Sequence, residues 1–274
     1  MNAKPSEKEL LEAARRGDEA ALEQLLSLHE KSVYRFGLRM CGSEEDAKDV
    51  LQETLLAAFR GLHQFRGDAE FSTWLYQVAR THCFRSRRRR SGAPETHEPL
   101  QSGEVRELPS AERGPDEVSH ARQMGELLQA AILALPDTSR EVLILRDVEG
   151  LSAEEAAEVV GIEVRALKSR LHRARLQLRE HLSTLTDEGA AAGRGCPELA
   201  KEVALFAKEE LDQASCVRLE DHLSRCPDCS QACDSLKRSV SLCRRIPGDA
   251  VPEPVRNAVR QALSAALSSP LTVR

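Results

Sequence analysis

Residues 151–180 read LSAEEAAEVVGIEVRALKSRLHRARLQLRE and predict two helices joined by a tight turn. Ser152 and Glu155, three residues apart, form the capping-box pattern that opens a helix. Gly161 supplies the left-handed conformation that closes this helix, and the second helix is predicted to begin at about Glu163. This geometry places the side chains of the second helix in the major groove of DNA.

The second helix of this stretch has one apolar side and one basic side. The apolar side follows the helical period and consists of Val164, Leu167, Leu171, Ala174 and Leu178. The remaining positions are polar or basic, and they comprise Arg165, Lys168, Ser169, His172, Arg173 and Arg175. A basic exposed side suits contact with bases and phosphates. An ordinary helical hairpin that carries Lys and Arg for solubility is the alternative.

The rest of the 274-residue chain also follows the helical period, so the predicted fold class is all-α. Between Leu10 and Arg39 apolar residues recur every three or four positions, and strict alternation is nowhere sustained. Residues 91–119 are rich in Pro, Gly and Glu and predict a flexible linker. The predicted domains are 6–90, 120–185 and a small helical unit at 196–246, followed by a tail at 247–274 that we expect to be weakly ordered.

Composition excludes several classes of protein. The longest apolar runs have five residues, far fewer than the roughly 20 that span a bilayer. The amino-terminal residues lack the apolar segment of a signal peptide, so we expect a cytoplasmic protein with no membrane partner and with reduced cysteines. We also expect no enzymatic activity, because the sequence contains no glycine-rich phosphate loop and no recognisable pairing of a nucleophile with a base.

A second basic region, residues 71–90, reads FSTWLYQVARTHCFRSRRRR in a chain whose net charge is −5. It holds Trp74, Tyr76 and Phe84 beside an arginine run, although aromatic residues make up only 3% of the chain. Aromatic rings stack on unpaired bases while guanidinium groups neutralise phosphates, so the pattern favours binding to opened DNA. The alternative is that the apolar residues around Trp74 are core, and we expect Trp74 to be partly core in either case.

Upstream, residues 46–53 read DAKDVLQE. Asp46, Asp49 and Glu53 lie at i, i+3 and i+7, which is one side of a helix. A solvated acidic helix face is the simplest interpretation of this stripe alone.

Together, the DAxDxxQE helix, the WL…AR segment and the arginine run resemble region 2 of bacterial sigma factors of the extracytoplasmic-function type. The resemblance implies that Asp46, Asp49, Gln52 and Glu53 dock on the clamp helices of RNA polymerase core. It also implies that the aromatic and basic segment melts and reads the −10 promoter element. Thr81 stands where the family usually has Asn, and Arg85 where it usually has Asp, so the base that is read does not carry over. The expected DNA-binding residues of this segment are Trp74, Arg80, Thr81, Arg85, Arg87 and Arg88.

Residues 135–175 are similar to sigma region 4 of the same family, in the same order along the chain. The resemblance implies that the second helix of the pair contacts the −35 element, through the basic and polar positions that we identified above.

Six of the eight cysteines follow residue 195. With His222 they include the pattern C-x25-H-x3-C-x2-C, formed by Cys196, His222, Cys226 and Cys229. Such spacing lets adjacent side chains reach one ion, and Zn²⁺ is the simplest choice, although another soft metal also fits. Pro227 predicts a helix start between Cys226 and Cys229. A disulfide framework, a redox CxxC and simple buried cysteines are the alternatives. The remaining cysteines are possible additional ligands (Cys216, Cys233), a surplus thiol (Cys243) and half-buried bystanders of the first domain (Cys41, Cys83).

The segment from Cys196 to Cys229 resembles the zinc-binding anti-sigma domain, whose ligand pattern these four residues match. The resemblances together imply a sigma factor, with RNA polymerase core and promoter DNA as partners. They further imply that its C-terminal domain contacts the sigma domains of the same chain and controls them through metal or redox chemistry. Two alternatives stay open: a metal-responsive helix-turn-helix regulator that binds DNA without polymerase, and a cytosolic thiol oxidoreductase.

Overall fold

The computed structural model describes residues 5–62, 65, 67, 69–91, 115–185, 221–245 and 250–268. The all-α prediction is confirmed, because helices account for almost all of this part of the chain and it contains no strand. The helices are α1 (Glu7–Arg15), α2 (Glu19–Cys41), α3 (Glu44–Gly61), α4 (Phe71–Ser91), α5 (Pro115–Ala134), α6 (Asp137–Leu143), α7 (Ala153–Val160), α8 (Val164–Leu185), α9 (Pro227–Arg245) and α10 (Glu253–Ser268). Residues 221–225 are also helical, and α6 continues into a π-helical segment, Ile144–Val148.

Helices α1–α4 form a bundle, which we call the N-terminal bundle. Its helices begin at side-chain caps: Ser6 and Glu9 form a capping box, and Asp18 and Ser43 accept hydrogen bonds from backbone N–H groups of the first turns of α2 and α3. Leu25, Phe36, Leu51, Leu55 and Leu75 are among its fully buried core residues. The core holds α3 and α4 side by side, so that the acidic stripe and the arginine run lie on neighbouring helices.

Helices α5–α8 form a second bundle, the helix-turn-helix bundle. The predicted capping box of Ser152 and Glu155 is present, and Gly161 has a left-handed φ of 76°. Helix α8 then begins at Val164, one residue from the predicted start. Apart from Val164, which is half-buried, the predicted apolar side of α8 is buried.

The two bundles pack against each other. Helix α2 contacts α5, α6 and the π-helical segment, and α4 contacts α7. Arg140 is buried and donates hydrogen bonds to the Met40 carbonyl of α2 (2.8 Å) and to the Leu135 carbonyl of its own bundle (2.8 Å). At Gly42, which has a φ of 79°, an added Cβ would lie 2.8 Å from Leu133 Cδ1. A larger residue here would have to displace the Leu133 methyl groups and adopt a backbone conformation that favours glycine.

Helix α10 lies in the stretch that we expected to be a weakly ordered tail, whereas α9 lies within the predicted helical unit at 196–246. Helix α9 packs on α8 and on the π-helical segment, and α10 packs on α3. Val255, Val259 and Leu263 recur every four residues and contact the core, while the guanidinium of Arg256 lies 3.7 Å from the Glu30 carboxylate. Proline does not prevent the helix, because Pro254 lies in its first turn, where backbone N–H groups have no helical partner.

The predicted linker is shorter than expected at its C-terminal end, since α5 begins at Pro115. The rest of that segment, 92–114, lies outside the described residues. None of the helices in the described ranges combines the length and apolarity that a membrane crossing requires.

Candidate nucleic-acid interface and metal centre

The acidic side of α3 borders an open cavity between α3 and α4. Asp49 and Glu53 are exposed and Gln52 is half-buried, and together with His82, Arg85 and Ser86 they line a cavity of about 330 Å³. Partial burial, together with the neighbouring carboxylates Glu45 and Asp46, raises the pKa of Asp49 above its usual value. This surface can accept a basic partner.

Asp46 does not belong to that surface in this structure, and its docking role stays a prediction. It is buried, and Ser86 Oγ of α4 donates a hydrogen bond of 3.2 Å to its carboxylate. Asp46 therefore ties α3 to α4. Ser43 caps the same turn by accepting a hydrogen bond from the Asp46 N–H.

Helix α4 divides its predicted nucleic-acid residues between two environments. Thr81, Arg85 and Arg88 are exposed along one side at i, i+4 and i+7, while the side chain of Arg87 lies outside the described residues. Trp74 is half-buried among Phe65 and Phe71, with ring centroids 5.5 and 5.6 Å away, so it is partly core as expected.

Arg80, in contrast, points at the second bundle. Its Nε lies 2.7 Å from Glu141 Oε2, and its guanidinium lies 4.8 Å from the Phe84 ring centroid. One predicted DNA contact is thus occupied by a carboxylate of the same chain.

Helix α8 presents Arg165, Ser169 and Arg173 as exposed residues, with Lys168 and His172 half-buried. Arg173 Nε donates to the Ser169 carbonyl at 3.4 Å, so both residues lie on the same side of α8. The first helix of the pair, α7, packs against α8. This arrangement of a supporting helix and a basic second helix fits a duplex groove.

Arg175 is not part of the exposed basic side of α8, and its DNA contact stays a prediction. Its side chain is 3% exposed and forms two hydrogen bonds, of 2.9 and 3.2 Å, with the fully buried Asp147 carboxylate. The pair joins α8 to the π-helical segment, so Arg175 holds the bundle together.

Two buried carboxylates between the bundles escaped the sequence analysis. Glu141 and Glu149 have side-chain exposures of 0% and 1%. Burial raises the pKa of Glu141, while the neighbouring Arg80 and Arg170 guanidinium groups oppose that shift. No sequence pattern pairs these glutamates with arginines as far as 114 positions away.

The predicted metal ligands His222, Cys226 and Cys229 come together at a helix start. Their ligand atoms lie within 4.8 Å of one another. Two ligand atoms on one tetrahedral zinc lie about 3.8 Å apart, so these three side chains need only small movements to hold an ion. Helix α9 begins at Pro227, between the two cysteines as predicted. His222 Nε2 is buried without a hydrogen-bond partner, which suits a nitrogen that ligates a metal.

Two of the remaining cysteine predictions lie outside the described residues, namely Cys196 and Cys216. Cys233 is buried one turn further along α9, and burial raises the pKa of its thiol. Cys243 is buried where the C-terminal helices meet the rest of the core. In the first bundle, Cys83 is buried and Cys41 is half-buried.

Comparison with known proteins matches both bundles. Residues 25–92 match the Sigma-70 region 2 family, and residues 125–178 match Sigma-70, region 4. The ECF RNA polymerase sigma factor SigE of Mycolicibacterium smegmatis is 33% identical over 183 residues, which cover 64% of this chain and 67% of SigE. The RNA polymerase sigma-H factor of Pseudomonas aeruginosa is 30% identical over 192 residues, which cover 69% of this chain and all of that protein.

Among solved structures, the chain is similar to CnrH, determined in complex with the cytosolic domain of CnrY. The two are 26% identical, the match covers 66% of this chain and 97% of CnrH, and the TM-score is 0.47. Both matched family regions end before the Cys/His segment at 196–229.

Proposed function

The chain belongs to the extracytoplasmic-function branch of the sigma-70 family, which recruits RNA polymerase to promoters, and we propose that its metal-binding C-terminal segment controls that activity in cis. The exposed basic side of α8 supports the role in promoter recognition, because it lies in the region 4 match that follows the region 2 match along the chain. In vitro transcription with core polymerase at physiological salt concentration tests the role in promoter recognition. We expect specific transcripts only when the protein is added, and their absence both with the full chain and with a chain truncated at Gly189 would contradict the proposal.

The surface for polymerase is formed by Asp49, Gln52 and Glu53. These residues lie on one exposed side of α3, beside His82 and Arg85 of α4. Opposite charges on a partner would be attracted to Asp49 and Glu53, and such complementarity sets register and association rate.

The substitution Asp49→Arg should abolish co-purification with core polymerase. It reverses a charge at the centre of this surface without removing a core contact, and like charges brought together at an interface cost several kcal/mol. The measurement is a pull-down with tagged core enzyme, with circular dichroism to show that the helices persist. Glu12→Arg, the same change at an exposed site on α1, is the matched control and should leave the pull-down intact. Equal recovery of both variants would exclude this surface.

The −10 element is assigned to the exposed side of α4 and the −35 element to the exposed side of α8. Thr81, Arg85 and Arg88 supply polar and cationic groups on α4, with Trp74 half-exposed at the N-terminal end of the same helix. On α8 the candidates are Arg165, Lys168, Ser169, His172 and Arg173.

Alanine at Arg165, Lys168 and Arg173 together should weaken promoter binding strongly. Each lost base contact costs about 1–3 kcal/mol, and each lost phosphate contact lowers the salt dependence of log K by about 0.9. Titrations of promoter duplex at several salt concentrations separate the two kinds of contact. Glu158→Ala, an exposed change on α7, is the control for nonspecific effects. An unchanged affinity together with an unchanged salt slope would rule out α8 as the reader.

The proposed metal centre uses His222, Cys226 and Cys229, with Cys196 as the expected fourth ligand. Three observations support it: the convergence of three ligand atoms, the unpartnered buried His222 nitrogen and the helix start at Pro227. A bound Zn²⁺ would hold the thiolates together and fix the start of α9. Cys233 lies one turn along the same helix, which makes it the candidate for an alternative ligand or a redox partner.

The packing of the C-terminal helices supports an inhibitory sign for the control. Helix α9 packs against α8 and the π-helical segment, while α10 packs against α3. The segment therefore bridges the two bundles and favours their compact arrangement. Loss of the metal would loosen α9 and release α8.

A further inference from the structure

Helix α10 lies beyond both matched family regions and docks on the N-terminal bundle through an apolar stripe of its own. Val255, Val259 and Leu263 recur every four residues, which places them on one side of the helix, and all three contact the core. Val259 is 1% exposed. Apolar burial of this kind requires no metal, so the docking of α10 has a source of free energy separate from the Cys/His cluster.

Opposite charges reinforce the docking of α10. The guanidinium of Arg256 lies 3.7 Å from the carboxylate of Glu30 on α2, and the Glu30 side chain is only 10% exposed. Arg260, one turn further along α10, lines a cavity of about 350 Å³ together with Glu30 and Leu26. Burial raises the pKa of Glu30, and the guanidinium groups of Arg256 and Arg260 oppose that shift. The N-terminal bundle therefore presents a partly apolar groove with a buried carboxylate, which fits a basic amphipathic helix such as α10.

Helix α9 docks at a different place and is joined directly to the metal cluster. Leu242 and Cys243, near its C-terminal end, contact the core, and the helix packs on α8 and the π-helical segment. The ligands Cys226 and Cys229 lie at its N-terminal end. Since the two C-terminal helices contact different bundles, one of them can leave its site while the other stays.

The length of the chain limits how far a released α9 can travel. Helix α9 ends at Arg245 and α10 begins eight residues later, at Glu253. A fully extended chain spans at most about 3.6 Å per residue, so a docked α10 keeps the end of α9 within about 29 Å. Without that docking, the connection back to the folded bundles runs from Leu185 of α8 to residue 221, a length of chain that can span about 130 Å.

We propose that α10 is a metal-independent anchor, which holds the C-terminal segment on the N-terminal bundle while loss of the metal releases α9 from α8. This inference rests on the proposed function, because it assumes that the metal controls the docking of α9. Asp49 and Glu53 stay exposed while α10 is docked, so the anchor leaves the acidic surface of α3 open to polymerase. An anchored α9 stays at a high local concentration near α8 and docks again when the metal returns. The anchor thus makes the control reversible.

Amide hydrogen exchange on the full chain tests the anchor. In the wild type, a chelator should lower the protection of α9 at least tenfold, whereas the protection of α10 should stay within about twofold of its starting value. Val259→Asp places a charge on the buried side of α10 and should abolish the protection of α10 while the zinc stays bound. Gln261→Asp introduces the same charge at an exposed position of α10 and is the matched control, which should behave as wild type.

The rate at which α9 docks again provides a second measurement. When zinc is added back after chelation, pulse labelling should show that α9 regains protection at least tenfold more slowly in Val259→Asp than in Gln261→Asp. The longer connection lowers the effective concentration of α9 near α8. Equal rates in the two variants would overturn the anchor, and so would a loss of α10 protection together with that of α9 in the chelated wild type.

A charge swap shows whether the ion pair contributes to the anchor. Glu30→Arg should release α10, because it brings like charges together at the docking site. Combining Glu30→Arg with Arg256→Glu and Arg260→Glu reverses every charge of the contact and should restore the protection of α10. Failure of the combined variant to dock α10, with both bundles still protected, would contradict the ionic part of the anchor.

Two outcomes separate the anchor from other roles of the same helix. Stronger recovery of Val259→Asp than of Gln261→Asp in a pull-down with core polymerase would overturn the anchor, because it would show that α10 blocks the polymerase surface. If the wild type binds no zinc, but α10 is protected in Gln261→Asp and unprotected in Val259→Asp, the docking of α10 is upheld and the proposed metal control fails.

Discussion

Replacing Asp147 by alanine should destabilise the helix-turn-helix bundle by about 3–5 kcal/mol, because it leaves the Arg175 guanidinium buried without a counter-charge. The two side chains are 0% and 3% exposed, and two hydrogen bonds join them. Protection against amide hydrogen exchange along α8 in the full chain is the measurement. We expect protection to fall by a factor of at least 100, which corresponds to about 3 kcal/mol.

Two further variants establish that the loss reflects an unpaired buried charge. Asp147→Leu combined with Arg175→Met replaces the pair with apolar groups, and such replacements are often neutral or stabilising, so α8 should recover most of its protection. Arg173→Ala removes an exposed arginine two residues away and should change stability by no more than about 0.5 kcal/mol. If Arg175→Ala weakened DNA binding while α8 kept its full protection, the structural role of Arg175 would be refuted.

Removing the metal should have the second large effect, because metal ligation supplies much of the free energy that orders a small domain. Structural zinc sites in small peptides contribute about 10–16 kcal/mol of apparent binding free energy at pH 7. We therefore expect Cys226→Ser, or treatment of the wild type with a chelator, to remove about one equivalent of zinc. Helicity should fall, and α9 should lose its protection against hydrogen exchange. Metal analysis and circular dichroism on the same samples measure both changes.

Other cysteines provide the controls for the metal experiment. Cys41→Ser changes a half-buried thiol of the N-terminal bundle, outside the metal cluster, and should retain the metal. Cys233→Ser tests the additional ligand, since a loss of metal equal to that of Cys226→Ser would place Cys233 in the site. Under the inhibitory sign proposed here, transcription should rise when the metal is lost. If the wild type were purified without metal, the proposed metal centre would be contradicted. Equal transcription from the wild type and Cys226→Ser would contradict the proposed regulatory role.

The local features of this protein could be predicted from its sequence because short-range physics determines them. The Ser152 capping box, the left-handed Gly161 and the buried side of α8 depend on residues only three or four positions apart. The meeting of His222, Cys226 and Cys229 is equally local, since the three ligands lie within eight residues of chain. The order of the acidic, arginine-rich and helix-turn-helix segments was sufficient to indicate the family.

Only the tertiary structure decided what each polar residue meets. The helical period places Asp46 with Asp49, and Arg175 near Arg173, but it does not reveal that Ser86 and Asp147 lie opposite them, 40 and 28 positions away. Pro252 and Pro254 favoured a weakly ordered tail, whereas apolar contact with the core stabilises a helix there. Glu141 and Glu149 carry no sequence signal, because the free energy of a buried ion pair depends on a partner that only folding brings within 3 Å.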